Sequence, residues 1–205
     1  MKNEKWQIYR LPICSTMDVM NVELADGELI VRPYRPDDIP ALFEAARASI
    51  PELSKWMPWC HADYSIEETK SFILSRPERW AKDAEYGFGV FSREDGRFLG
   101  GVGMNFINRV HQVANLGYWI RSSETGRGVA AKAARLVAQF GFEQLAFQRI
   151  EILAATSNVA SQRVAEKTGA LKEGVLRHRL RLHGQPVDAV LYSLIAEDLL
   201  QNRVL

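Results

Sequence analysis

Cysteine is scarce in this chain of 205 residues, which has only Cys14 and Cys60. They form neither a Cys-x-x-Cys pair nor a metal-ligand spacing, and such sparse cysteine suits a reducing compartment. The four histidines are scattered, with no cluster of the metal-ligand type. We therefore expect no bound metal and, because neither cysteine has a base motif beside it, no covalent acyl-enzyme.

A long apolar run and an excess of one charge are also absent. No stretch approaches the length of a membrane span, and the charged N-terminus lacks an apolar signal region. The net charge of +1 argues against a chain whose main task is to bind nucleic acid. These absences predict a cytoplasmic protein that has neither a membrane nor a nucleic acid as its direct partner.

The composition that is present is that of an ordinary globular protein, 47% hydrophobic and long enough for one domain with a sizeable core. Residues 1–26 show no clear periodicity and are interpreted as an N-terminal extension. A single domain is expected over residues 27–200, followed by a C-terminal tail at residues 201–205.

Periodicity, capping signals and turn residues predict the order β-α-α-β-β-β-α-β-α-β-β, a mixed α/β (α+β) sheet flanked by helices. The second helix begins at a capping-box pattern, Ser65 to Glu68, and Pro77 is expected to kink or end it. A third helix is expected from about residue 127 to 145, directly after a strand at residues 113–121.

Between that strand and that helix lies a turn with two glycines: Thr125, Gly126, Arg127, Gly128, Val129 and Ala130. Two glycines let the backbone approach a ligand closely, and the helix behind them presents unpaired N–H groups and a positive dipole end. The turn is therefore a candidate anion site, with phosphate as the natural ligand. A tight glycine turn that merely caps a helix explains the pattern equally well.

The element order and this turn resemble those of the GNAT superfamily of acetyl-CoA-dependent N-acetyltransferases. The family's turn is Gln/Arg-x-x-Gly-x-Gly/Ala, and here only its first residue departs, as Thr125. Further similarity to the ribosomal-protein (RimJ/RimL-like) branch lies in residues 117–120 (Gly-Tyr-Trp-Ile), the Asn158-x-x-Ser161 pair, residues 166–177, and residues 183–193. The resemblance implies a mostly antiparallel twisted sheet of about seven strands with about four helices, splayed between strands 4 and 5.

The resemblance also implies a cofactor site. Residues 125–130 would hold the pyrophosphate of acetyl-CoA, and the pantetheine arm would pair with the backbone near Trp119, Ile120 and Arg121. Asn158 and Ser161 would contact the cofactor from the next helix. Arg127 as a solvated helix-start residue, and Asn158 as a simple helix N-cap, are the alternatives.

The catalytic groups implied by the family are only partly present. Many members carry a tyrosine acid seven residues after the asparagine, where this chain has Ala165, so Ser161 is the implied acid that protonates the leaving thiolate. Asn115 stands where relatives carry a glutamate base, and His178 is a weak substitute. A protein α-amine has a pKa of about 7.7–8.0 and needs little help to become neutral.

The acceptor site is predicted at the loop between the first two helices, where Trp56, Met57 and Trp59 would line a pocket together with Tyr118. The alternative is that these tryptophans cover the core. The expected reaction is direct acetyl transfer to the N-terminal α-amine of a protein or peptide. A small antibiotic-like or polyamine-like acceptor, and a non-catalytic acyl-CoA-binding regulatory module, remain alternatives. The sequence also allows a homodimer.

Overall fold

The computed structural model describes residues 22–201, with only the backbone of residue 201. Its first half contains three helices and five strands: β1 (Leu24–Ala25), β2 (Leu29–Pro33), α1 (Ile39–Arg47), α2 (Ile50–Leu53), α3 (Ile66–Ala81), β3 (Tyr86–Ser92), β4 (Phe98–Asn108) and β5 (Val113–Ile120). The second half adds α4 (Val129–Leu145), β6 (Arg149–Ala155), α5 (Val159–Thr168), β7 (Leu171–Leu182), β8 (Gln185–Leu194) and α6 (Ala196–Gln201).

The eight strands form a single sheet in the order β1-β2-β3-β4-β5-β6-β8-β7. All neighbouring strands are antiparallel except β5 and β6. The mixed, mostly antiparallel sheet is therefore confirmed, with eight strands and six helices instead of about seven and about four. The additional elements β1, α2 and α6 are too short to show a period in the sequence.

The ends of the chain bear on the predicted domain boundaries. Most of the predicted N-terminal extension, and residues 202–205 of the predicted tail, lie outside the described residues. Leu24 and Ala25 pair with Val31 and Ile30, so the sheet already begins before residue 27. Between residues 22 and 201, no helix is long and apolar enough to cross a membrane.

Helix α3 begins as its sequence indicates. The backbone N–H of Glu68 donates to Ser65 Oγ, and the Ser65 N–H donates to Glu68 Oε2, which is a complete capping box. Of the two effects expected of Pro77, a kink or an end, the end is wrong, because the helix continues to Ala81. Its last turn is held by the buried Trp80, whose ring packs edge-on against Phe88 at 5.0 Å between ring centroids.

Two apolar layers cover the sheet. On one face α4 packs into the main core, with the buried side chains of Val137 and Phe140 against Phe88, Met104 and Leu116. On the other face α1 and α3 cover β2 to β4 through a second cluster that is rich in aromatic residues: Tyr34, Leu42, Tyr64, Ile73, Phe91 and Phe98. The predicted start of α4 at residue 127 is two residues early, because Gly128 has a left-handed conformation and forms the N-cap.

The parallel strands β5 and β6 remain paired over only three residues, the last pair being Asn115 with Glu151. Beyond it β5 continues to Ile120 and β6 to Ala155 with no ladder between them. This is the splay predicted between strands 4 and 5. These two strands are β5 and β6 here, because the additional strand β1 shifts the numbering by one. The facing strand edges open into a wedge whose backbone groups have no strand partner.

Candidate active site

The glycine turn lies at the open end of this wedge. Gly126 and Gly128 both have φ of +81°, in the region that disfavours other residues, and a Cβ on either would meet nothing within 4 Å. The glycines are therefore required by the backbone conformation, and the space before them is open. Helix α4 starts at the next residue, Val129, so its first N–H groups face this space. The turn therefore fits a phosphate group.

Charged side chains flank the turn. Glu124 is buried and accepts hydrogen bonds from Arg97 Nη1 at 2.8 Å and Arg127 Nη1 at 3.0 Å. The side chain of Arg127 remains 67% exposed, so it can also turn towards an anion. Thr125 donates its hydroxyl to the carbonyl of Ser122, which closes the turn before the glycines. Arg97 also pairs with Asp95 at 3.5 Å, so Arg127 is the more exposed of the two cations beside the helix end.

A narrow slot of about 90 Å³ lies inside the wedge between β5 and β6. Its lining is Trp56, Met57, Leu116, Gly117, Tyr118, residues 152–155, Asn158, Ser161, Leu180 and Leu182. Asn158 Oδ1 accepts the N–H of Ser161 at 3.0 Å, so this asparagine is the N-cap of α5. Unpaired strand edges and mostly apolar walls fit an arm with amide groups, such as pantetheine.

Two hydroxyl groups meet in the slot. Tyr118 donates its hydroxyl to the carbonyl of Ser161 at 2.9 Å, and its oxygen lies 3.1 Å from Ser161 Oγ. Burial raises the pKa of Tyr118 to about 12, although the hydrogen bond with Ser161 opposes the increase. Ala165, at the position of the family's usual tyrosine, is fully buried. The hydroxyls of Ser161 and Tyr118 are thus the proton donors of the slot.

A second, larger cavity of about 390 Å³ lies on the other face of the sheet, beneath α1, α3 and the loop after α2. Aromatic rings form its walls, with centroids 5.5 Å apart for Trp59 and Trp119 and 5.3 Å for Tyr34 and Phe72. Its polar groups are Glu68, Glu85 and Asn105 at the rim and floor. A cavity of this size with mostly apolar walls and a few polar groups is typical of a small-ligand site.

Glycines form the floor of the cavity on three adjacent strands: Gly87, Gly101, Gly103 and Gly117. A Cβ on Gly101 would lie 2.4 Å from the Tyr34 hydroxyl and 2.7 Å from Trp119 Nε1. At Gly103 it would lie 2.6 Å from the backbone oxygen of Tyr86. At these two positions the surrounding atoms exclude a side chain, and the floor stays flat.

The slot and the cavity share three residues, Met57, Gly117 and Tyr118. A Cβ on Gly117 would meet nothing within 4 Å, so there is open space where the two sites join. A ligand in the wedge and a ligand in the cavity can therefore approach each other at Gly117. The arrangement suits direct transfer of a group from one ligand to the other.

The predicted substrate residues divide between the two sites. Trp59 lines the cavity, Trp56 lines the slot, and Met57 and Tyr118 line both. Trp59 remains 38% exposed, so it does not simply cover the core.

The three residues predicted to contact the pantetheine arm also have different surroundings. The Trp119 ring belongs to the acceptor-side cavity, Ile120 is buried in the core, and Arg121 forms an ion pair with Glu44 at 2.9 Å. Their side chains are thus engaged by the protein, and only their backbone is left for the predicted contact with the cofactor.

The groups around Asn115, where relatives carry a glutamate base, are polar but not strongly basic. Asn115 donates from Nδ2 to Asn105 Oδ1 at 2.8 Å, and its own buried Oδ1 has no partner among residues 22–201. Glu151, the strand neighbour of Asn115, is held by Arg149 Nε at 2.9 Å. His178 is exposed at a bulge of β7 and lines neither cavity.

Several cavity residues have no motif in the sequence: Tyr34, Tyr64, Glu68, Phe72, Glu85 and Asn105. The signal that could have found part of them is the alternation Gly101-x-Gly103-x-Asn105. Small residues on every second position of a strand indicate a face that something else approaches closely.

Comparison with known proteins agrees with this geometry. Residues 28–171 match the family model described as "Acetyltransferase (GNAT) domain", so the chain belongs to the GNAT acetyltransferase family. The predicted family, the N-acetyltransferase activity and acetyl-CoA as acetyl donor are confirmed. The predicted homodimer, cytoplasmic location and individual site residues stay predictions.

Three individual proteins illustrate this similarity. The chain is 34% identical over 136 residues to "Probable N-acetyltransferase YjcK" of Bacillus subtilis, which covers 66% of this chain and 75% of the relative. It is 23% identical to the ribosomal-protein-serine acetyltransferase of Escherichia coli, over 71% of this chain and 80% of the relative. The structure of ribosomal-protein-S5-alanine acetyltransferase from Vibrio fischeri superimposes with a TM-score of 0.77 at 23% identity, covering 87% of this chain and 98% of that one.

Proposed function

We propose that this acetyltransferase transfers the acetyl group to the N-terminal α-amine of a protein or peptide, by direct attack within a ternary complex. The observation that carries the proposal is the junction of the slot and the cavity at Met57, Gly117 and Tyr118. The thioester end of acetyl-CoA in the wedge and an amine in the cavity would meet there. Holding both reactants in one place supplies much of the rate.

The donor is bound by backbone and small polar groups. The turn at Gly126 and Gly128 holds the pyrophosphate, the open edges of β5 and β6 pair with the pantetheine arm, and the thioester supplies an activated acetyl group. The amine nitrogen forms a bond to the carbonyl carbon, the C–S bond breaks, and its electron pair stays on sulfur. The amine nitrogen loses one proton to water, Ser161 protonates the thiolate, and water returns a proton to Ser161.

The electrostatics of the cavity favour an acceptor with one positive charge over a polyamine. Glu85 is neutralised by Arg76 Nη1 at 2.6 Å and Arg79 Nε at 2.8 Å. Glu68 accepts hydrogen bonds from Ser65, and its Oε1 lies 2.8 Å from His61 Nε2. The remaining lining is aromatic and apolar, which suits the first side chains of a peptide behind its terminal amine.

The chemistry of the amine favours the same choice. A protein α-amine has a pKa of about 7.7–8.0 and a lysine amine about 10.4, so roughly a hundredfold more α-amine is neutral at neutral pH. Since no strong base lies at the junction, this difference passes directly into the rate. The ribosomal-protein-serine acetyltransferase relative, which by its name acetylates a protein, supports the proposal.

A small amine is the second candidate. It is supported by the spermidine N(1)-acetyltransferase of Escherichia coli, which is 30% identical over 96 residues but covers only 47% of this chain and 52% of the relative. The aromatic cavity would accept an apolar amine, whereas the pairing of Glu85 with two arginines argues against a polyamine.

The decisive experiment measures thiol release with a peptide that has a free N-terminus and with its N-acetylated twin that carries an internal lysine, between pH 6 and 9.5. We expect kcat/KM for the free peptide to rise with pH along the titration of its amine and to level off near 8. The blocked twin should react about a hundredfold more slowly at pH 7. Equal rates, or turnover with spermidine alone, would contradict the proposal. No turnover with any amine would favour the non-catalytic acyl-CoA-binding module.

A further inference from the structure

Tyr118 lies where the slot and the cavity join, but the proposed reaction gives its hydroxyl no chemical step. It lies on β5, lines both the cavity and the slot, and reaches across to α5. Ser161 lines only the slot, and the two hydroxyl oxygens are 3.1 Å apart. Two adjoining hydroxyl groups therefore lie beside the junction, with Ser161 on the donor side.

We propose that Tyr118 and Ser161 form a proton shuttle, in which the Tyr118 hydroxyl carries the proton released by the acceptor amine to Ser161 and Ser161 delivers its own proton to the leaving sulfur. This inference rests on the proposed function. It adds Tyr118 as a residue of the chemistry, acting through Ser161, in addition to its predicted contact with the acceptor.

The shuttle accounts for every proton and electron pair. The amine nitrogen attacks the carbonyl carbon and loses one proton to Tyr118 Oη, either directly or through one water. The Tyr118 hydroxyl, which donates to the Ser161 carbonyl in this structure, turns about its C–O bond and passes its own proton to Ser161 Oγ, 3.1 Å away, and Ser161 passes its proton to the sulfur as the C–S bond breaks. Both hydroxyls end as they began, and the products are an amide and a free thiol. A hydroxyl can accept and donate at once, so neither residue has to be a strong acid or base.

This route explains two departures from the family pattern together. Asn115 replaces the usual glutamate base, and Ala165 replaces the usual tyrosine acid. A shuttle needs neither, because the proton that the base would remove is the proton that the acid would supply. Burial keeps the Tyr118 hydroxyl protonated, since its pKa is raised to about 12, so the chain stays intact over the working pH range.

The protein contains a matched control. Tyr192 on β8 also joins a strand to α5 through its hydroxyl, which donates to Glu166 Oε1 at 3.1 Å. Its ring is fully buried and lines neither cavity. Tyr192→Phe and Tyr118→Phe therefore each remove a tyrosine hydroxyl that is hydrogen-bonded to α5, and only the second one removes a member of the shuttle.

The test compares Tyr118→Phe, Ser161→Ala, the double variant and Tyr192→Phe, using a free-terminus peptide at saturating acetyl-CoA. We expect Tyr118→Phe to lower kcat about 100-fold, with acetyl-CoA affinity by calorimetry unchanged. The double variant should be no slower than the slower single variant, because both substitutions interrupt one chain. Tyr192→Phe should keep wild-type kcat.

A second readout does not depend on turnover. The thiolate of bound coenzyme A absorbs in the ultraviolet, so the thiol can be titrated in the binary complex. The two hydroxyls should lower the thiol pKa in the wild type and in Tyr192→Phe, and the lowering should be smaller in Tyr118→Phe and in Ser161→Ala.

The shuttle is overturned if the losses of the single variants multiply in the double variant, or if Tyr118→Phe titrates and turns over like Tyr192→Phe. Either result would leave peptide acetylation by the wild type untouched. Conversely, a wild type that acetylates no peptide would refute the proposed function, while the thiol titration would still report on the hydroxyl pair.

Discussion

The two halves of the active site are built by opposite means. The donor half is made of backbone: two glycines with φ of +81°, the start of α4, and the open edges of two strands. The acceptor half is made of side chains, with Tyr34, Phe72 and Trp119 contributed by segments far apart in the sequence. Backbone groups are the same in every member of a fold, whereas side chains vary. The donor half is therefore suited to one constant cosubstrate, and the acceptor half is free to select its amine.

The largest effect is expected from Gly128→Val, which tests whether the donor half depends on backbone conformation. A β-branched residue is strained at a φ of +81°, and relief of the strain would move the amides away from the phosphate. We expect acetyl-CoA affinity to fall by at least ~2 kcal/mol, equivalent to the loss of a charge-assisted hydrogen bond. Isothermal calorimetry measures it directly.

Gly184→Val provides the control for that strain. Gly184 has a φ of +77° and equally open surroundings, but it lies in the β7–β8 turn. Gly184→Val should lower the melting temperature about as much as Gly128→Val does, and it should leave acetyl-CoA affinity unchanged. Unaltered affinity in a folded Gly128→Val protein would refute the phosphate site.

Ser161→Ala tests the side-chain chemistry of the donor half. If Ser161 protonates the thiolate, kcat should fall by about 100-fold or less, because water can partly replace the hydroxyl. Acetyl-CoA affinity should hardly change, since Asn158 still caps α5 through the backbone of residue 161. Steady-state kinetics with calorimetry separate the two quantities, and full activity would reduce Ser161 to a helix-edge hydroxyl.

Trp59→Ala makes the complementary test in the acceptor half. It removes a ring that packs edge-on against Tyr64 and Trp119, each at 5.5 Å between centroids. The KM for a peptide acceptor should rise about tenfold, corresponding to ~1.4 kcal/mol of lost contact, while acetyl-CoA affinity stays the same. A parallel loss of both affinities would mean that the two halves are not independent.

The smallest effect is expected at the end of the wedge where β5 and β6 are still paired, and it concerns stability. Arg149 on β6 binds both oxygens of Glu173 at 2.6 and 2.7 Å, and Ser193 donates a third hydrogen bond. Hydrogen bonds from Arg149, then from Ser193, lower the pKa of Glu173 from 4.5 to about 2. A carboxylate with a lowered pKa stabilises the fold above the unfolded-state value, and this contribution disappears as pH falls from 4.5 towards 2.

Urea unfolding of wild type and Glu173→Gln at several pH values tests this pH dependence of the stability. The wild type should be the more stable above pH 5, and the difference should shrink towards pH 2. Acetyl-CoA affinity at pH 7 should be equal in both, because Glu173 lines neither cavity. A difference that persists unchanged at pH 2 would show that charge is not its cause.

The contrast between the halves also explains which features the sequence could predict. The glycine turn and the Asn158 cap are short-range features, because each depends on the conformation of a few consecutive residues. The splay was predictable only through the resemblance to the family. The sequence left open whether Pro77 ends α3, because the packing of Trp80 on Phe88, which holds the last turn, is a tertiary contact.

By itself, the sequence determined the order of the longer elements, the family and the glycine turn, because periodicity, caps and glycine turns act locally and keep their spacing along the chain. Only the tertiary structure decided how the aromatic side chains of α3, β5 and the loops before α1 and after α2 surround one cavity, and that the Tyr118 hydroxyl reaches Ser161, 43 residues away along the chain. Such contacts depend on how the helices lie on the sheet. That arrangement follows from packing the whole core at once, and no local pattern encodes it.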